Sequence, residues 1–269
     1  MSEIIQGKRS ISDLYRILSE NLRYYYFRTV YGIDLVERFV PYLRWGHNYC
    51  IHMHRYMFAL DYIKRFGRKP TVIDLGCGVG YGDSFLSEYC EKIIGIDISD
   101  KAIKYAKSHY QTKNITYICA DIIKDIPRLN LGKFDIVLSF EVVEHIPTPN
   151  RGVFFGNFNS LLDENGIGII TTPHNANRLS EDSAGNPYHF DEMNVNELTA
   201  FLDKYFATRK MFAHYVKAGF EDLYSTKGRK PDEVCEIKEL NEEITKKGDF
   251  GLISVVTKKV KDGQKICKP

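Results

Sequence analysis

Two carboxylates and an imidazole stand at positions i, i+3 and i+4 in the run EVVEHIP, as Glu141, Glu144 and His145. If the chain makes one helical turn there, all three fall on one face, and Pro147 ends the turn. His189, in a later loop, can close over the same point. Two carboxylates and two imidazoles suit a divalent ion such as Mg²⁺, Mn²⁺ or Zn²⁺. Glu141, His145 and His189 equally suit general-base catalysis on a weakly nucleophilic hydroxyl. Both readings stay open at this point. His174, His52 and His54 are read as side chains that pack or bond locally.

A second group lies upstream, in TVIDLGCGVGYGDSFL, where Gly76, Gly78, Gly80 and Gly82 separate an apolar run from a helical pattern. Glycines there permit positive φ and a close approach of backbone to ligand, while the helix start offers unpaired N–H groups. A dinucleotide fingerprint G-x-G-x-x-G requires a glycine at 81 or 83, which are Tyr81 and Asp83, so the nicotinamide reading weakens. Asp97 closes the next apolar run about 20 residues beyond Gly76, where an acid accepts from ribose hydroxyls. Asp121 follows the third run, positioned to accept from an exocyclic amine with the Ile122 backbone beside it. Alone, either acid could cap a loop; in strand order behind a glycine crook they imply a nucleoside-bearing ligand.

The elements that must position these groups follow from periodicity. Continuous apolar runs at 71–75, 92–97, 115–120, 134–140 and 166–172 alternate with helical patterns at 81–90, 100–110 and 150–162. Strands buried on both faces read this way, so the sheet is expected to be parallel and covered by helices on each side. Ser99 or Asp100 is positioned to cap the second helix. A polar loop (173–187) leads to a helix near 194–203, and runs at 206–216 and 250–257 can close the sheet as a strand pair. The expectation is a doubly wound α/β domain with a seven-stranded, mostly parallel sheet over residues 70–269. The charged stretch 221–249 reads as an insert. Residues 1–69 read as an N-terminal helical cap rich in aromatic and basic side chains, with apolar positions Met57, Leu60 and Ile63 at helical spacing.

The 269 residues are 43% apolar, with 37 Lys plus Arg against 35 Asp plus Glu. That balance excludes a disordered polyelectrolyte and argues against a nucleic-acid-coating protein, although both flanks are basic around an acidic middle. No run approaches the roughly 18 apolar residues of a membrane span, and no secretory h-region opens the chain, so the cytoplasm is the expected compartment. Six cysteines without a C-x-x-C pair are read as reduced thiols, with little sequence support for a structural zinc site on these sulfurs. An oligomeric state does not follow from any of this.

The ordered series VIDLGCGVGYG, GIDIS, CADI and FDIVLSFEVVEHI resembles the motif set of class I S-adenosylmethionine-dependent methyltransferases, over about residues 70–175. The resemblance implies the Rossmann-like methyltransferase fold and S-adenosyl-L-methionine as cofactor. It implies that Asp74, Gly76, Cys77 and Gly78 face the amino-acid end of that cofactor. Asp97 and Ile98 would then face its ribose, Asp121 and Ile122 its adenine, and Phe140 the reactive sulfonium. Ser139, Phe140, Glu141 and Val142 stand where base-amino methyltransferases carry Asn or Asp followed by Pro-Pro and an aromatic, and no Pro-Cys dipeptide occurs, so oxygen methylation is favoured. ERFVP (37–41), HMHRYMFAL (52–60) and NPYHFDEMNVNEL (186–198) are similar to methyltransferases of polysaccharide and surface-glycan synthesis, implying a sugar or glycan-linked acceptor. The E-x-x-E-H arrangement also resembles metal-dependent small-RNA 3′-end and quinone O-methyltransferases. A non-catalytic cofactor-binding subunit is the third alternative.

Overall fold

The computed structural model describes residues 47–174, 192–220, 229–245 and 250–259. Helix α1 (His47–Lys64) precedes β1 (Thr71–Leu75), α2 (Tyr81–Leu86), β2 (Lys92–Asp97), α3 (Asp100–His109), β3 (Ile115–Cys119) and β4 (Phe134–Phe140). Then follow α4 (Arg151–Leu161), β5 (Leu162–Pro173), α5 (Val195–Tyr205) and β6 (Phe206–Val216). A helical turn at Pro231–Val234 introduces β7 (Cys235–Glu239), and β8 (Gly251–Lys258) completes the sheet.

The strand order is β3-β2-β1-β4-β5-β8-β6-β7. Strands β3 through β5 are parallel, with Ile73 opposite Ile94 on one side and Val137 on the other. The remaining pairings are antiparallel. The sheet thus has eight strands among the described residues, not seven. The extra one lies inside the charged stretch 221–249: β7 pairs along the outer edge of β6, a position where one alternate face needs cover and charged residues can face water. That half-polar pattern is why no apolar run announced it. The expected closing pair, β6 with β8, is present in antiparallel register.

Alternation along each strand feeds two apolar layers. Val72, Ile93, Ile136 and Leu138 point to one face and pack under Tyr56, Ala59 and Ile63 of α1. Ile73, Leu75, Ile94 and Val137 point to the other and pack under Phe154, Phe155 and Phe158 of α4 with Leu198 and Leu202 of α5. All seven residues of β4 are buried, Asp135 and Ser139 among them, as a central strand covered on both faces requires. Helix α1 buries Cys50, Met53, Tyr56, Ala59, Leu60 and Ile63. Its inward face therefore runs through Tyr56, while Met57 is only half-buried. The part of the N-terminal cap before residue 47 lies outside the described residues. Ser99 caps α3 by accepting from Ala102 N at 3.3 Å.

Because β1 has β2 on one side and β4 on the other, the chain's winding reverses there, and a crevice opens at the carboxyl ends of those strands.

Candidate active site

The crevice is a cavity of about 450 Å³, within the range of small-molecule sites. Its walls come from the turns after β1 to β4 and from the inner face of α1. The glycine crook after β1 holds Gly76, Gly78 and Gly80 at φ of 89°, 56° and 84°, the region that L side chains avoid. A Cβ at Gly76 would collide with Val142 and one at Gly80 would stand 2.5 Å from the Tyr117 hydroxyl, but one at Gly78 would meet no atom within 4 Å. Gly78 therefore presents bare backbone to the cavity.

Asp97 binds the crook from β2: its Oδ2 accepts from Gly78 N at 3.0 Å and its Oδ1 from Ser99 N at 2.8 Å. It is buried and lines the cavity. Beside it Ile98 is 65% exposed, an apolar side chain left on the cavity wall without cover. In the turn after β3, Asp121 Oδ1 accepts from Ile123 N at 2.8 Å and Lys124 N at 3.3 Å, and its Oδ2 pairs with Lys124. Partial burial works to raise its pKa, but these N–H donors and the Lys124 ammonium outweigh burial and hold it below the usual carboxylate range. Asp121 N and Asp125 N are also satisfied within the turn, whereas Ile122 N makes no hydrogen bond among the described residues. The carbonyls of Ile122 and Ile123 are pinned by the Asn157 amide from α4, which fixes that free N–H at the cavity.

Asp74 lies one layer deeper than the sequence reading placed it. The crook carries Gly76, Cys77 and Gly78 across its end, so the lining residue is Tyr56, whose hydroxyl donates to Asp74 Oδ2 at 2.9 Å. Burial raises the Asp74 pKa to about 6, against the pull of hydrogen bonds from Tyr56 and Asp83. Asp83 is pushed much further up by burial and then by the charge of Asp74, so it carries the proton and Asp74 the charge. Cys77 lines the cavity, and burial keeps it a thiol. Tyr56 packs edge-on against both Tyr81 and Phe140, at centroid distances of 5.6 and 5.0 Å, and all three rings line the cavity.

The carboxylates after β4 do not share a helical face. Glu141 adopts φ 56°, a strained conformation for a residue that carries a Cβ, and only Val143–His145 form a short 3-10 turn. Glu141 is held by Thr171: its N–H donates to Thr171 O at 3.1 Å and Oγ1 at 3.2 Å, and Thr171 Oγ1 donates to Glu141 Oε1 at 2.8 Å. Its other oxygen, Oε2, meets Arg55 Nη2 at 3.0 Å. Glu144 turns inward, buried at 1% exposure, where Thr172 Oγ1 donates to it at 3.2 Å. Burial and then the nearby Glu141 push its pKa well up, so it is held protonated. Its Oε1 is buried at the cavity wall without a hydrogen-bond partner among the described residues. His145 lines the same wall. Among the described residues, Glu141, Glu144 and His145 do not bring three ligand atoms within reach of one ion. The positive φ at Glu141 is the reason, since it sends that carboxylate toward α1. His189 lies outside the described residues.

A second cavity of about 440 Å³ adjoins the first, lined by Ile51, Pro173, His174, Tyr215 and Phe250 among others. Arg55 and Glu141 line both cavities. Sequence reasoning missed Arg55, Tyr56 and Thr171. Arg55 and Tyr56 sit in HMHRYMFAL, a quoted motif whose helical periodicity spoke only of packing, and Thr171 is an unremarkable strand residue until the sheet pairs it with Phe140.

A parallel 3-2-1-4-5 sheet with a left-handed glycine crook at its switch point, backed by Asp97, is the arrangement of the Rossmann-like methyltransferase fold. Comparison with known proteins agrees: residues 73–170 match the family described as a methyltransferase domain. A probable S-adenosylmethionine-dependent methyltransferase of Mycolicibacterium smegmatis is 27% identical over 171 residues, covering 62% of each chain. A ubiquinone biosynthesis O-methyltransferase of Coxiella burnetii is 38% identical over 82 residues, 30% of this chain and 34% of that one. Among solved structures, magnesium protoporphyrin IX methyltransferase from Synechocystis, with bound S-adenosylmethionine, superposes with a TM-score of 0.52 at 18% identity, covering 89% of this chain and 97% of that one. The chain spans 62% and 46% of the length of the first curated relatives it matches. Residues 73–170 therefore carry a methyltransferase domain. No helix among the described residues is long and apolar enough to cross a membrane.

Proposed function

We propose that this chain transfers a methyl group from S-adenosylmethionine to a hydroxyl oxygen of a sugar or glycan-linked acceptor, at the wall where the two cavities meet. The cofactor supplies an electrophilic methyl on a sulfonium. The cavity residues suit such a molecule: Gly78 and the Ile122 N–H offer backbone approach, Asp97 an acceptor for hydroxyls, Ile98 an apolar face, and three aromatic rings an electron-rich wall for a cation.

One observation carries the reading. Glu141 keeps a strained positive φ, is braced by Thr171, and lines both cavities together with Arg55. Strain of this kind costs on the order of 1–3 kcal/mol, persists where the surrounding structure over-determines it, and clusters at functional sites. A hydroxyl is a poor nucleophile at neutral pH, so a carboxylate fixed at the junction serves as its proton acceptor. Thr171 and Arg55 hold one oxygen each and so fix the orientation of that carboxylate, whose Oε1 keeps a further lone pair for the acceptor. His145 is the second candidate for the base, on the cofactor side of the junction. Alignment of the acceptor by the walls supplies the rest, since in-line displacement depends chiefly on position.

A phenolic, quinone-type acceptor is the second reading, favoured by the 38% identity to the ubiquinone biosynthesis enzyme across part of the chain. The test is incubation of the purified chain with labelled S-adenosylmethionine and a panel of nucleotide sugars, glycan fragments and a demethylated quinol. Labelled sugar supports the first reading and labelled quinol alone the second. No product from folded, cofactor-binding chain leaves the non-catalytic subunit.

A further inference from the structure

One cluster of side chains, whose His214 lines the second cavity, has no part in the reading above. His54 of α1, His214 of β6 and Cys235 of β7 bring one ligand atom each to within 4.8 Å of one another. His54 Nδ1 and His214 Nε2 are 3.1 Å apart, with ring centroids 5.1 Å apart. A tetrahedral zinc-class ion, with bonds of about 2.0–2.1 Å to nitrogen and about 2.3 Å to sulfur, holds its donors roughly 3.2–3.9 Å from each other. The observed spacing is close to that, and side-chain rotations alone can tighten it.

We propose that His54, His214 and Cys235 form a binding site for one zinc-class divalent ion, which pins α1 to the β6–β7 edge of the sheet. A hydrogen bond between the imidazoles accounts for two of the three groups and leaves the thiol unexplained. His214 Nδ1 is buried without a hydrogen-bond partner among the described residues, so Nε2 carries the ring's polar contacts. His214 and Cys235 are 4% and 2% exposed, too deep for the chance grouping common among surface acids. The donor set of one sulfur and two imidazoles selects zinc, cobalt or copper over magnesium or calcium. The Cys235 thiol proton passes to solvent when the sulfur binds the ion. Three protein donors leave a fourth position for water or another ligand.

Three elements separated in sequence by 160 residues, between His54 and His214, and then by the whole of the stretch up to β7 meet here. That stretch read as an insert, and α1 read as a cap; the site would fasten both to the core. The test is titration of metal-free full chain with Co²⁺ followed by competition with Zn²⁺. One ion per chain is expected, with a thiolate-to-cobalt charge-transfer band and visible bands of tetrahedral intensity that Zn²⁺ abolishes. Cys235→Ser should remove the charge-transfer band, and His54→Gln, at the least buried of the three positions, should weaken the ion at least tenfold. Binding of S-adenosylhomocysteine by the same samples shows that they are folded and keeps this test separate from the methyl-transfer reading. Folded chain that binds no cobalt, or a charge-transfer band that survives in Cys235→Ser, overturns the proposal.

Discussion

At the scale of single residues, the side chains that matter are those whose surroundings constrain them most. Glu141 is strained, braced and paired, and it touches both cavities. Glu141→Gln keeps its shape but cannot take a proton, so kcat should fall by about 10²–10⁴-fold with cofactor affinity little changed; steady-state kinetics on the acceptor found by the panel checks this. Asp97→Ala removes both the expected ribose contact and the brace on Gly78 N, and should weaken S-adenosylhomocysteine binding by about 1.5–3 kcal/mol in calorimetry. Glu144 is held protonated, so Glu144→Gln should retain more turnover than Glu144→Ala. At this scale the sequence was a partial guide. The types and order of Asp97, Asp121 and Glu141 were legible, because strand ends are. Their partners were not: Arg55 lies 86 positions before Glu141 and Thr171 30 after it, and only the fold brings them together.

At the scale of elements, the crook after β1 separates ligand binding from folding. Gly78→Ala places a methyl in open cavity space at φ 56°; its folding cost is about 1 kcal/mol, and S-adenosylhomocysteine binding should fall steeply. Gly76→Ala drives the same methyl into Val142, so loss of thermal stability should dominate there. Differential scanning calorimetry with and without ligand distinguishes the two. Strands β1 to β4 were readable to within a residue, since burial on both faces imposes an apolar run, whereas β5 begins at Leu162, four residues before its apolar run, through the polar Asp163, Glu164 and Asn165. The half-polar edge strand β7 was not, since its pattern is that of a charged loop. The helical turn expected over Glu141 to His145 was also misread: spacing predicts a shared face only where φ is helical throughout, and Glu141 breaks that condition.

For the whole molecule, buried acids shape the response to pH. Unfolded Asp74 titrates near 3.9 and folded Asp74 at about 6, so over that interval the folded chain keeps a proton the unfolded chain has lost. Stability from this group is therefore full below about pH 4 and is lost as pH rises toward 6. Asp83 and Glu144, shifted in the same direction by burial, extend the loss to higher pH. Asp121 and Asp135 are depressed and act in the opposite sense, losing stability as pH falls through their folded values. The melting temperature should accordingly be higher near pH 5 than near pH 8. Asp83→Asn, which keeps a donor toward Asp74, should raise stability at pH 8 by about 1–3 kcal/mol. Thermal melts across that range check both, and a melting temperature that rises steadily to pH 8 contradicts them.

The account rests most directly on what the crevice between β1 and β4 holds, and isothermal calorimetry of the intact chain with S-adenosylhomocysteine measures it. We predict saturable binding of one molecule per chain and no binding of a nicotinamide dinucleotide. Folded chain that gives no heat with S-adenosylhomocysteine, or that binds the dinucleotide instead, contradicts the account.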